Sequence, residues 1–294
     1  MSILNRPSDG LLSVLLALRR ALLAYGVQTE DALLKLVAPA SVIETPEMAK
    51  KTLTRWKQLG FFSEVGDKIS LSDAIVGIAL DDMDALRAAV LRLILLPENN
   101  AALLSSSIDD SEGSRAVDCT RALAWSLVQD PYTFPNTHRS GELLQDRQGV
   151  QPTVFVNDVR WHGFVEWAVF VGTAWTTSRT LVPSPAFAIR SVLDDIFQEN
   201  PEVAHGEFFR RLATLLPILD GGTYRTAVEA QIASPWRQTR ANEISPSLSA
   251  ALLTLEHEGT LRIEARSDAP MRKLLGPGGS ESRSVSHLVH AGAA

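Results

Sequence analysis

TPEMAKKTLTRWKQLGFFSEVGDKISLS, residues 45–72, decides how the N-terminal part of the chain is read. Thr45 followed by Pro46 is a cap-then-proline helix start, and Ala49, Leu53 and Trp56 fall on one face of the helix that follows. Gly60 stops it. Two short runs come next, with Phe62 and Val65 in the first and Ile69 and Leu71 in the second, joined at Gly66-Asp67 as a β-hairpin. Upstream, residues 8–25 open on a Ser8-Asp9 cap, repeat apolar residues at Leu11, Val14, Leu15, Leu18 and Leu22, and stop at Gly26. Thr29 caps a shorter helix in which Leu33, Leu34 and Val37 share a face, and Pro39 ends it. Three helices and a hairpin in this order predict a winged helix-turn-helix, the third helix being the candidate reader and the hairpin the wing.

The same order recurs near the other end. A helix over Glu207–Leu216 is followed by the Gly221-Gly222 break and a helix over Thr223–Ile232. After Pro235, Ser245 and Pro246 repeat the start seen at Thr45 and Pro46. SLSAALLTLEHEG then ends on Gly259 and runs into TLRIEARSDAPMRKLL, read as a strand, a Ser267-Asp268 turn and a returning strand. An offset of 199 residues lays Gly259 on Gly60, Leu252 on Leu53, Leu255 on Trp56 and Leu261 on Phe62. The match is one of pattern. The expected fold is mainly α with small β-hairpins: winged helix-turn-helix modules at residues 1–80 and 201–275, an acidic helical middle at 81–200 and a flexible Gly/Ser-rich tail at 276–294.

The chain has 294 residues, 45% of them apolar and 21% charged, which suits two or three folded domains rather than a disordered or fibrous protein. Net charge is −6, divided as +1 over residues 1–80, −7 over 81–200 and 0 over 201–294. Indiscriminate nucleic-acid binding is therefore not expected, and any anion site must be local. A single cysteine, Cys119, closes no disulfide within the chain and alone builds no thiolate metal site, in keeping with a reducing cytoplasm. The apolar run Ala88–Leu96 is too short to cross a bilayer and carries Arg92, and Asp9 before the first helix with Arg19-Arg20 inside it reverses the charge order of a secretory signal. No membrane partner is expected.

Turning Ala49, Leu53 and Trp56 inward leaves Lys50, Lys51, Thr54, Arg55 and Lys57 toward solvent, and Lys68 lies at the tip of the wing. Phosphates reward Lys and Arg, and base edges reward Arg and small hydroxyls, so these six residues are the candidate contacts to double-stranded DNA. A solvated face on a protein-binding domain is the alternative. The second module carries its positive charge ahead of its third helix, at Arg237 and Arg240, and in its wing, at Arg262, Arg266, Arg272 and Lys273; backbone contacts by the wing or protein docking are both open. Trp161, Phe164, Trp167, Val171 and Trp175 follow at helical spacing in a helix read over Asn157–Thr173, a buried row rather than a base-stacking platform. Arg160 and Glu166 beside them read as surface. His287 and His290 have no third ligand nearby, the Asp81-Asp82-Asp84 cluster reads as cap charge, and no nucleophile elbow or phosphate loop is found, so neither an enzyme nor a metal or other cofactor is expected.

The opening ILNRPSDGLLSVLLALRRALLAYG and the pattern running on through Ser72 resemble DpdG-type proteins, accessory components encoded in bacterial clusters that place 7-deazaguanine bases in DNA and restrict foreign DNA. The resemblance implies a phage-defence setting, a non-enzymatic supporting role and other subunits of a defence complex as partners. The tandem arrangement is also similar to the kite-type subunits of condensin-like complexes, whose paired winged helices grip an ATPase and dimerise, although no motif particular to those proteins is present; a homodimer is one expectation from it. The leading expectation is a DNA-binding adaptor, and the other is a winged-helix scaffold that docks protein without touching DNA.

Overall fold

A computed structural model describes residues 3–5, 11–43, 46–104, 115–177, 180–198, 200–233 and 239–291. In chain order its elements are α1 (Leu12–Tyr25), β1 (Gln28–Thr29), α2 (Glu30–Val37), α3 (Glu47–Gln58), β2 (Phe62–Val65), β3 (Lys68–Leu71), α4 (Asp73–Val76), α5 (Met83–Leu95), α6 (Pro97–Leu104), α7 (Val117–Val128), α8 (His138–Gln148), α9 (Asp158–Phe170), β4 (Ala174–Thr176), β5 (Leu181–Pro183), α10 (Ala186–Arg190), α11 (Leu193–Phe197), β6 (Glu202–Ala204), α12 (His205–Leu215), α13 (Thr223–Glu229), β7 (Glu243–Ile244), α14 (Pro246–His257), β8 (Leu261–Glu264), β9 (Arg272–Leu275), β10 (Glu281–Val285) and β11 (His287–His290). The protein is mainly helical, with small sheets that are antiparallel apart from the β7–β9 pair. It divides into two compact units, Met1–Cys119 with Asn157–Trp167, and Thr120–Val156 with Ala168–Ala294.

In the first unit, α1, α2 and α3 are followed by the β2–β3 hairpin, and β1 adds to the free edge of β3 to give the sheet order β1-β3-β2. The two-residue loop Gly66-Asp67 fixes the register, with Val65 opposite Lys68 and Phe62 opposite Leu71; Gly66 sits at φ +66°, as such a loop requires. Thr29 caps α2 by accepting from the Ala32 amide at 3.2 Å, and Asp82 caps α5 in the same way at Ala85. The expected caps Ser8-Asp9 and Thr45 lie outside the described residues. The apolar run Ala88–Leu96 is the buried heart of α5, with Arg92 its exposed position. Among the described residues no helix is long and apolar enough to cross a membrane.

The second unit repeats part of this order, with differences. The sheet order β6-β11-β8 reproduces β1-β3-β2, and α12 follows β6 directly as α2 follows β1. α12 thus stands in the place of a second helix rather than the first helix expected from sequence. α14 occupies the third place: Leu252 and Leu255, like Leu53 and Trp56, are wholly buried. Gly60 and Gly259, 199 residues apart, both follow these helices at positive φ, +85° and +75°. Each is followed by a residue whose amide reaches back five positions, Phe61 to the Trp56 carbonyl and Thr260 to the Leu255 carbonyl, both at 2.9 Å, the Schellman pattern.

Two expectations here are corrected. Strands β8 and β9, read as one hairpin, belong to different sheets: β8 pairs with β11, and β9 pairs with β10 and β7. Residues 276–294, read as a flexible tail, contain β10 and β11. Val285 and Leu288 are wholly buried, and β11 bonds to β6 on one side and β8 on the other. A Gly/Ser-rich composition weakens local propensity, but a central strand position satisfies both backbone edges, and that outweighs it.

The middle also departs from expectation. It is helical, as read, but two strands, β4 and β5, pair within it. Trp161, Phe164, Trp167 and Val171 are buried as expected, but the helix ends at Phe170 and Trp175 lies on β4, half exposed.

Candidate functional site

The orientation of α3 is set by its buried face. Leu53 and Trp56 have no exposed surface, and the Trp56 ring packs tilted on Trp167 at 5.1 Å and edge-on to Phe61 at 5.7 Å. Lys50 and Lys51 consequently face solvent, Thr54 is half-buried, and Lys68 is exposed where β3 begins. No hydrogen bond or ion pair engages the side chain of Lys50, Lys51 or Lys68 among the described residues.

Arg55 is different. It is 3% exposed and its Nη1 donates to Gln58 Oε1 at 3.2 Å. The buried face of α3 is wider than the apolar pattern indicates because Thr52 and Arg55 join it. Asp118, at the start of α7, is half-buried, and desolvation raises its pKa. The charge of Arg160 opposes that rise, with backbone hydrogen bonds from Cys119 and Leu4 and the charge of Arg55 behind it. Arg160 Nη2 lies 3.3 Å from Asp118 Oδ2. Arg160 is therefore the ion-pair partner of a half-buried acid, and Arg55 is buried rather than the surface residue that spacing suggested. Beside them the Cys119 thiol, fully buried, is pushed well above its ordinary range, first by burial and then by the Asp118 charge.

Lys57 is also occupied. Its Nζ sits 3.1 Å from both Glu30 and Glu64, tying α3 to the start of α2 and to β2. Burial alone would lower its pKa, but the hydrogen bonds it donates to Glu64 and Glu30, with the charges of those carboxylates, outweigh burial and the net direction is upward. Lys57 holds the hairpin against the helix pair.

The cations of the second unit are likewise paired within it. Arg266 forks onto Glu202 at 2.7 and 2.8 Å and also reaches Glu264; the Arg266 hydrogen bond holds the Glu202 carboxyl below its usual range. Arg262 lies 2.9 Å from Glu264, Lys273 2.6 Å from Glu281, and the Arg272 guanidinium stands 5.6 Å above the Phe209 ring. Arg240 faces Glu243 at 3.8 Å, and Arg237 lies outside the described residues. His290 stacks on Phe197 with centroids 5.0 Å apart, and His287 meets Ser286 Oγ at 3.0 Å. Among the described residues no group of three or more His, Cys, Asp or Glu side chains comes together to hold a metal ion.

The sequence reading overlooked an apolar exposure at the α2–α3 corner. Leu36, Val42, Ile43 and Met48 are 42%, 79%, 40% and 50% exposed. The signal was present in the run SVIETPEM, where two branched residues stand in a connection that has no helical face to bury them.

No curated protein and no solved structure matches the chain. A family model described as DpdG-like matches residues 1–269, from the first helix through the strand after α14. That span takes in α1 to α3 with their hairpin and α12 to α14 with β8, and on its strength the chain belongs to the DpdG-like family.

Proposed function

We propose that the chain is a non-enzymatic accessory component of a 7-deazaguanine DNA-modification and phage-defence system, and that residues 12–71 form a winged helix-turn-helix that docks another protein subunit. The helix and strand order, with β1 added to the hairpin edge, supports the winged-helix reading. The observation that carries docking is the apolar α2–α3 corner, where Leu36, Val42, Ile43 and Met48 are presented to solvent. Lys50 and Lys51 follow directly on α3, so a partner with an apolar centre and an acidic rim complements this corner. Of the six candidate DNA contacts, Arg55 is buried and Lys57 is neutralised, which leaves a small cationic surface on a molecule of net charge −6.

The experiment is size-exclusion chromatography of the chain co-expressed with the products of its neighbouring genes, in nuclease-treated extracts. A complex is expected with the wild-type chain and is expected to be lost in the Val42→Asp, Met48→Glu double variant, both positions being exposed enough to leave the melting temperature within about 2 °C. A complex that survives the double variant places the contact elsewhere. A second reading, direct contact with duplex DNA through Lys50, Lys51, Thr54 and Lys68, is favoured by the absence, among the described residues, of side-chain partners for the three lysines.

A further inference from the structure

A cavity of about 310 Å³ lies wholly within the second unit, where α7, α8, α14 and the β9–β10 connection meet. That volume falls at the lower end of the range for small-molecule sites. Val128, Leu144 and Leu275 supply apolar walls, and Gln129, Gln148 and Asp130 supply polar groups. Both glutamines are buried, at 8% and 2% exposure.

The hydrogen bonds of these glutamines can be counted. Trp125 Nε1 donates to Gln148 Oε1 at 2.9 Å, which fixes which end of that amide is oxygen. Gln148 Nε2 then donates to Gln129 Oε1 at 2.7 Å, and Gln129 Nε2 donates to the Trp125 carbonyl at 3.1 Å and to Gln148 Oε1 at 3.4 Å. An amide has two N–H groups and two oxygen lone pairs. Both lone pairs of Gln148 and both N–H groups of Gln129 are used. One N–H on Gln148 Nε2 and one lone pair on Gln129 Oε1 remain, a donor beside an acceptor. Buried groups with spare capacity at a cavity wall ask for a partner. Asp130 is held rigid, its Oδ1 accepting from the Tyr132 amide at 2.9 Å and its Oδ2 from the Gly278 amide at 2.8 Å. It is the one charged side chain lining the cavity among the described residues.

We propose that this cavity binds an uncharged, planar nitrogen heterocycle of nucleobase size, through an edge that sets a hydrogen-bond acceptor beside a donor. The walls take the ring faces, the glutamine pair takes the edge, and Asp130 accepts a further ring or exocyclic N–H and repels anions, phosphorylated forms included. The inference stands apart from the docking corner, which lies in the other unit.

Isothermal titration of the full chain with adenine, hypoxanthine, caffeine and adenosine 5′-monophosphate tests it. Adenine and hypoxanthine carry such edges; caffeine keeps the fused ring but has every N–H methylated. At least one of the two bases is expected to bind with a Kd under about 1 mM, and caffeine and the monophosphate at least about tenfold more weakly. Leu144→Trp, which fills the cavity, is expected to abolish binding, and Thr133→Phe at its exposed rim repeats the test if the first variant melts early. Failure of both bases to bind overturns the proposal. Caffeine binding equal to the bases overturns the recognition of the edge, and binding unchanged in a folded, filled variant overturns the location.

Discussion

Arg55 and Lys57 lie two positions apart on α3 and were read alike, yet one is buried and donates to Gln58 and the other clamps Glu30 and Glu64. Spacing along a helix tells which side chains share a face; it does not tell whether an acid from a distant segment needs that face. Asp118 and Arg160 sit 42 residues apart and nothing local links them. Lys50 and Lys51, by contrast, were placed correctly from Ala49, Leu53 and Trp56 alone, because no distant group competes for them. A second long-range constraint at this scale is Gly163 on α9. A Cβ built there would come 2.4 Å from the Leu4 carbonyl oxygen, and backbone cannot swing aside as a side-chain tip can. Gly163→Ala is expected to destabilise the first unit by about 1–3 kcal/mol, read as a lowered midpoint in urea; an unchanged midpoint would show that Leu4 is not packed there.

Elements were most legible where a local stop signal coincided with a tertiary need. Gly60 and Gly259 end α3 and α14 with the same left-handed geometry, and the spacing between them revealed the correspondence of the two helices. Strand pairing was less legible, because β11 takes its place from partners 80 or more residues away on the β6 side, as the His205–Ser286 contact shows. Its attachment makes a pH prediction. His205, at the start of α12, meets the Ser286 carbonyl through Nδ1 at 3.2 Å. Burial lowers its pKa; the Ser286 bond opposes this, and the nearby charges of Arg272 and His287 add to the lowering. A histidine whose folded pKa is depressed favours the neutral form in the native state. Its contribution is intact above the unfolded value of about 6.5 and is lost as pH falls through that value toward the folded one. Amide exchange in β6 and β11 is accordingly expected to accelerate between about pH 6.5 and 5 relative to β2 and β3, and His205→Gln to remove the difference. Equal acceleration in both sheets would rule out His205 as the cause.

For the whole molecule, the distribution of charge was readable from composition, but its engagement was not. The cations at Arg262, Arg266 and Lys273 are spent on Glu264, Glu202 and Glu281 within their own unit; the first pair is local to β8, but the other two arise only from the β6-β11-β8 and β9–β10 pairings. The remaining lysines at Lys50, Lys51 and Lys68 set a ceiling on duplex contact through α3 and its hairpin. Anisotropy titration across a salt series is expected to give a log–log slope no steeper than about −2.7, from roughly 0.9 per phosphate for three lysines, and Lys50→Glu with Lys51→Glu should remove most of it. A much steeper slope would mean that cations now paired are released to the duplex, or that another surface binds. The sheet order of the second unit reaches further still. Because β11 lies between β6 and β8, both flanking strands precede in sequence the strand that joins them. A chain that lacks residues 287–290 thus leaves each flanking strand without its only partner in that sheet, and such a chain is expected to self-associate through the open edges where the full chain does not.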